Sequence, residues 1–126
     1  MDKPYALPKS ERLGSLAAVR RLFADGASGF VYPFRYIVIA EESATPSVEV
    51  LFSVPKRYHK RANKRNVLRR RTKEAYRLNK SALTAQTLAK GCGVDIALVY
   101  SSKEILPYKN IEYAICKILK EIGERC

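Results

Sequence analysis

Residues 56–73 hold ten basic side chains, Lys56, Arg57, Lys60, Arg61, Lys64, Arg65, Arg69, Arg70, Arg71 and Lys73, and no acid. The chain's formal net charge is +12, so this one segment carries most of it and the rest is nearly balanced. A guanidinium grips phosphate oxygens through two parallel hydrogen bonds, and an ammonium acts as a point charge. Ordinary solvated faces mix both signs, whereas an acid-free run of this length attracts a polyanion. Nucleic acid and an anionic membrane surface are the partners such a field selects. The membrane reading has little behind it. No apolar run approaches the roughly 20 residues that span a bilayer, and the basic segment lacks the Trp, Phe and Leu face of an interfacial helix.

Residue types for a self-contained active site are sparse. The one histidine, His59, stands in the basic segment, where it reads as a solvated phosphate neighbour rather than a general base. No Ser/His/Asp or Cys/His pairing stands out, no phosphate-cradling glycine loop is present, and the acids are too scattered for a two-metal nuclease site. Cys92, Cys116 and Cys126 are odd in number and lack C-x-x-C spacing, so they read as core or incidental thiols without a disulfide framework or zinc site. Phe23, Phe34, Tyr36 and Phe52 precede the basic segment. Each is either core packing or a stacking face for an unpaired base.

These side chains need a scaffold, and 126 residues suffice for one domain. Residues 1–9 read as flexible. The apolar spacing of Leu13, Leu16, Ala17, Val19, Leu22 and Phe23 predicts a helix over Ser10–Ala24, stopped by Asp25-Gly26. Residues 26–33 read as a loop, with two glycines and Pro33. Phe34–Ala40 and Val48–Val54 read as strands, the second ended by Pro55. Their short connection predicts that they pair as antiparallel neighbours. Arg57–Arg61 reads as an irregular loop and Ala62–Lys80 as a helix. On that helix Leu68, Thr72, Ala75, Tyr76 and Asn79 form an inward stripe, and Arg65, Arg69, Lys73 and Arg77 recur at i+4 on another face. Residues 81–93 are a mixed connection that extends this helix. Val94–Tyr100 is a third strand and Tyr108–Ile122 a final amphipathic helix. The order α-β-β-α-β-α gives an α/β fold, a two-layer α+β sandwich with a small mixed sheet.

The run Lys64-Arg65-Asn66-Val67-Leu68-Arg69-Arg70-Arg71-Thr72-Lys73-Glu74-Ala75-Tyr76-Arg77 resembles the signature helix of the bacterial ribonuclease P protein component. Val19 to Gly26 is similar to that family's first helix and turn, and Phe52-Ser53-Val54-Pro55-Lys56 to its strand before the basic loop. The resemblance implies a small subunit that joins a catalytic RNA and assists removal of the 5′ leader from precursor tRNA. It implies that the RNA carries the chemistry with its own Mg2+, and that the protein has no catalytic residue and holds no stable cofactor or metal. It also implies a left-handed βαβ crossover, against the right-handed default. Carried onto matching positions, it implies RNA contacts from Arg65, Asn66, Arg69, Arg70 and Lys73, supported by Lys56, Arg57, Arg61, Lys64 and Arg77. A leader cleft between the first helix and the sheet would involve Val19 and Phe23, with Phe34 or Tyr36 as the strand aromatic. Val19 stands where many members have Phe, which implies weaker stacking there.

The expected partners are therefore the catalytic RNA and the precursor's 5′ leader, in the cytoplasm, with no membrane and no DNA. The rival reading is a ribosomal or other structural RNA-binding protein. It accounts for the basic helix but not for the Arg-Asn motif. A third reading, an autonomous nuclease, requires the acid cluster that the sequence lacks.

Overall fold

Alternating apolar side chains build one four-stranded sheet from the described residues, and helices cover both of its faces. The structure, a computed structural model, describes residues 13–125. The expectation for residues 1–9 and the first three residues of the helix expected over Ser10–Ala24 fall outside that range. Leu13 to Ser15 correct the rest of its start, since they are not helical and Ser15 caps a helix that begins at Leu16. In chain order the elements are α1 (Leu16–Asp25), β1 (Ala27–Val31), β2 (Phe34–Glu42), β3 (Ser47–Ser53), α2 (Ala62–Asn79), α3 (Ser81–Lys90), β4 (Cys92–Tyr100) and α4 (Tyr108–Arg125).

The sheet order is β1-β2-β4-β3. β1 pairs antiparallel with β2, and β2 antiparallel with β4. β3 runs parallel to β4, so α2 and α3 form the crossover between them, as parallel neighbours require. This corrects the pairing expected from the short 43–46 connection: β2 and β3 run in opposite directions but are not neighbours. β4 lies between them because it is buried on both faces. Val94, Ile96, Leu98 and Tyr100 are buried on one side and Ala97 on the other, and such a strand belongs in the sheet centre. Two further corrections concern segments taken for connections. Residues 27–31 are an edge strand, followed by a cis Tyr32–Pro33 peptide. Residues 81–90 are a helix of their own.

Strand alternation divides the side chains between two layers. Phe34, Tyr36 and Val38 of β2, Val48 and Val50 of β3, and the even-numbered residues of β4 join Leu68, Ala75 and Tyr76 of α2. Ile111, Ala114, Ile115, Ile118 and Ile122 of α4 complete this larger core. On the other face Ile37 and Ala97 pack with Leu13 and Leu22, flanked by Ala18, Val19, Ile39 and Leu51. Leu22, fully buried, docks α1. Ser15 caps that helix by accepting from the Ala18 N–H. At its other end a Cβ on Gly26 would stand 2.5 Å from both Ile37 Cγ2 and the Leu22 carbonyl oxygen, so glycine is what allows the chain to leave α1 against β2.

Candidate nucleic-acid interface

α2 turns its apolar stripe inward. Leu68, Thr72, Ala75 and Tyr76 are buried, and Thr72 Oγ1 donates back to the Leu68 carbonyl at 2.8 Å. Each i+4 step advances about 40° around a helix, and the row Arg65, Arg69, Lys73, Arg77 stays half-buried along the edge of the buried stripe. Asn66 and Arg70 are exposed beside it, as are Arg61 and Lys64 at the helix start and Lys56 and Arg57 before it. The helix has no acid in its first turn. The surface is thus a run of guanidinium, ammonium and amide donors whose chemistry suits phosphate.

Arg65 differs from its neighbours. Half-buried, it donates from Nη1 to the carbonyls of His59 at 3.0 Å and Lys60 at 2.7 Å. It therefore ties the preceding basic loop to α2. The loop is further held by the Tyr58 and His59 amides, which both donate to the Pro55 carbonyl. The Arg57 guanidinium lies over the Tyr58 ring, 4.9 Å from its centroid. His59 corrects the expectation of a solvated phosphate neighbour. It is buried, its Nε2 lies 2.7 Å from the Ser102 carbonyl oxygen, and its ring tilts against Tyr100. An imidazole anchored to a main-chain carbonyl holds a loop in place. The segment expected to be irregular is a tethered turn.

Two other arginines are partnered within the protein. Arg71 donates to the Leu106 carbonyl at 2.6 Å and so joins α2 to the start of α4. Arg77 pairs with Glu74 through two nitrogens, and that hydrogen bond raises its already high pKa. The last rung of the ladder therefore has its charge partly neutralised, unlike Arg70.

The cleft on the other face of the sheet departs from expectation. Val19 is half-buried in the α1 contact and Phe23 is half-exposed on the same helix. Phe34 and Tyr36 point the opposite way. Phe34 is fully buried edge-to-face against Tyr100, and Tyr36 donates from its hydroxyl to Glu121 at 2.7 Å. Neither lines the space between α1 and the sheet, because the even-numbered positions of β2 face α4. The strand aromatic on the α1 side is Phe30, paired in register with Arg35 and 59% exposed. Phe30 was missed because residues 26–33 read as a loop. The available signal was alternation continuing backward through Ser28 and Phe30. On the α1 side, Val19 and Phe23 stand on the helix and Phe30 and Arg35 on the sheet.

At the other end of the α1 side, Arg21 makes a two-pronged ion pair with Glu41, with distances of 2.7 and 2.9 Å. It holds the Glu41 carboxyl below its usual range. Glu49 and Asp95 are cross-strand partners there. Burial raises both carboxyls, and the Asp95 charge raises Glu49 further. Among the described residues no group of three or more His, Cys, Asp or Glu is placed to hold a metal ion. No described helix is long and apolar enough to cross a membrane. Cys92 is disulfide-bonded and Cys116 is a free thiol. The first corrects the reading of the cysteines as core or incidental thiols.

Comparison with known proteins gives a consistent result. The family model for Ribonuclease P matches residues 7–123. A ribonuclease P protein component from Porphyromonas gingivalis is 34% identical over 120 residues, covering 94% of this chain and 88% of the relative. Another from Chlorobaculum tepidum is 40% identical over 85 residues, covering 63% of this chain and 54% of that one. The solved RNase P protein of Staphylococcus aureus superposes with a TM-score of 0.70 at 19% identity, covering 90% of this chain and 96% of that one. The Thermotoga maritima protein gives 0.69 at 20% identity, with 88% and 96% covered.

Proposed function

Because this chain belongs to the ribonuclease P protein family, we propose that it serves as the protein subunit that assists a catalytic RNA in removing the 5′ leader from precursor tRNA. The observation that carries the reading is the family match over residues 7–123, which includes the acid-free basic run and the helix that presents it. In this reading the RNA and its Mg2+ supply the bond-breaking chemistry. The protein supplies charge and position.

The exposed cations of α2 and of the tethered loop neutralise phosphates where the ribozyme's backbones crowd together. Arg70, Asn66, Arg69 and Lys73 contact the RNA directly, with Lys56, Arg57, Arg61 and Lys64 around them. Arg65 sets the loop's position and adds its charge, and Arg77 contributes less because Glu74 shares it. On the opposite face of the sheet, the leader passes between α1 and the strands. Phe23 and Phe30 offer stacking faces, Val19 an apolar wall, and Arg35 a phosphate partner. Base stacking on aromatics is tolerant of sequence, which suits leaders of differing sequence.

Identification of the RNA that co-purifies with the chain tests this reading. The RNA subunit of ribonuclease P should dominate. A predominance of ribosomal RNA would favour the structural RNA-binding alternative and overturn the proposal.

A further inference from the structure

We propose a second contact site for the precursor's leader, on the α4 side of the sheet, in the groove lined by Tyr32, Leu106, Lys109, Asn110 and Tyr113. Its occupant is an unpaired nucleotide lying beyond those held in the α1 cleft. The inference rests on the leader-binding reading above and extends it to a surface that the basic helix does not include.

Three observations carry it. The first is shape and residue type. The groove is open to solvent and offers about 500 Å³, within the range that accepts small ligands. Tyr32 is 52% exposed and Tyr113 72% exposed. The Tyr32 hydroxyl lies 3.1 Å from Ser102 Oγ, so its ring is fixed across the sheet end. Two exposed aromatic faces with an amide and an ammonium beside them are the parts of a site that stacks a base and pairs its phosphate.

The second is the way α4 sorts its charges. Lys109, Tyr113 and Lys117 follow one another at i+4 on the exposed face. Two of the three acids of α4 are drawn inward, and the third, Glu124, is exposed beyond Lys117. Glu112 accepts from Tyr108 and Asn79, and Glu121 accepts from Tyr36. No carboxylate lines the groove. The outward face is therefore positive around a tyrosine, which complements a nucleic-acid strand and not a basic or neutral partner.

The third is continuity. Phe30 of the α1-side cleft and Tyr32 of the groove are two residues apart on one chain segment, both more than half exposed. A single strand leaving the cleft at Phe30 meets Tyr32 next as it rounds the Tyr32–Pro33 turn. This favours the leader over the ribozyme as the occupant.

The test uses the holoenzyme reconstituted from the full chain, with precursor tRNAs whose leaders are lengthened one nucleotide at a time, and with mature tRNA. Tyr113→Ala and Lys109→Ala should leave affinity for short-leader precursors and mature tRNA unchanged. Beyond a threshold leader length they should weaken binding roughly five- to tenfold, at the low end of what stacking one base contributes. Tyr113→Phe should restore it, because the ring remains. Phe23→Ala serves as the reference for the cleft and should weaken short- and long-leader precursors alike. If Phe23→Ala acts and Tyr113→Ala has no length-dependent effect, the second site is wrong and the cleft stands. Should Phe23→Ala not distinguish precursor from mature tRNA, the leader reading itself fails. Loss of ribozyme affinity in Tyr113→Ala, without leader dependence, would assign the groove to the ribozyme and overturn the proposal. Tyr113 is exposed, so its replacement does not disturb the core.

Discussion

Replacing Arg65 with Ala separates an organising cation from a contacting one. Its Nη1 donates to two carbonyls, one in a part-buried setting at 3.0 Å and one in an exposed setting at 2.7 Å. A hydrogen bond from a charged group contributes roughly 1.5–3 kcal/mol when sheltered and less in water. Together the pair is worth about 2 kcal/mol to the local stability of the loop. That corresponds to roughly a thirtyfold shift toward the open loop. Hydrogen exchange at the Tyr58 and His59 amides, both bonded to the Pro55 carbonyl, reads this opening directly, and protection should fall by up to that factor. The consequence for RNA binding appears in salt dependence. Losing one phosphate contact lowers the slope of log affinity against log salt by roughly 0.7–0.9, which is the expectation for Arg70→Ala, an exposed residue. Arg65→Ala should lower it by more, because Lys56, Arg57 and Arg61 lose their placement along with the missing charge. Protected amides together with a slope that falls no further than in Arg70→Ala would show that Arg65 does not organise the loop.

Three other outcomes follow from the packing and charge. Leu22→Ala empties a fully buried site between α1 and Ile37 and should cost about 2–5 kcal/mol in urea unfolding, with a loss of precursor preference as α1 loosens. Phe34→Ala should cost about 3–5 kcal/mol, whereas Phe30→Ala should change stability by only about 0.5 kcal/mol and reduce affinity for leader-bearing tRNA. The reverse pattern would restore Phe34 to the cleft. Burial raises the carboxyls of Glu49 and Asp95 above their unfolded values. Their contribution is complete below the unfolded pKa and is lost as pH rises through the folded one. Glu49→Gln should therefore flatten the fall in melting temperature over that acidic range, and an unchanged pH profile would contradict the pairing.

The sequence made the basic surface legible because ten cations without an acid are a matter of composition, and composition does not depend on the fold. The apolar stripe of α2 and the i+4 pattern of α4 were legible for a similar reason, since helical periodicity is local. Sheet order was not. A short connection favours adjacency, and nothing local to Phe34–Ala40 or Val48–Val54 announces that a strand some 45 residues downstream inserts between them. β1 was hidden by its own composition. Gly26, Ser28, Gly29 and Pro33 are turn formers, yet a Cβ on Gly29 would collide with the Tyr36 ring, so its glycine marks close approach within a sheet. Missing β1 shifted the cleft aromatic from Phe30 to Phe34 or Tyr36. The anchoring role of His59 was illegible because its partner, Ser102, lies 43 residues away.

Cleavage of precursor tRNA by the matching RNA subunit at low Mg2+, with and without this chain, tests the central claim most directly. Faster release of the 5′ leader is expected with the protein present, and a smaller gain with Arg70→Ala. Equal rates with and without the protein, under conditions where the RNA alone is active, would contradict it.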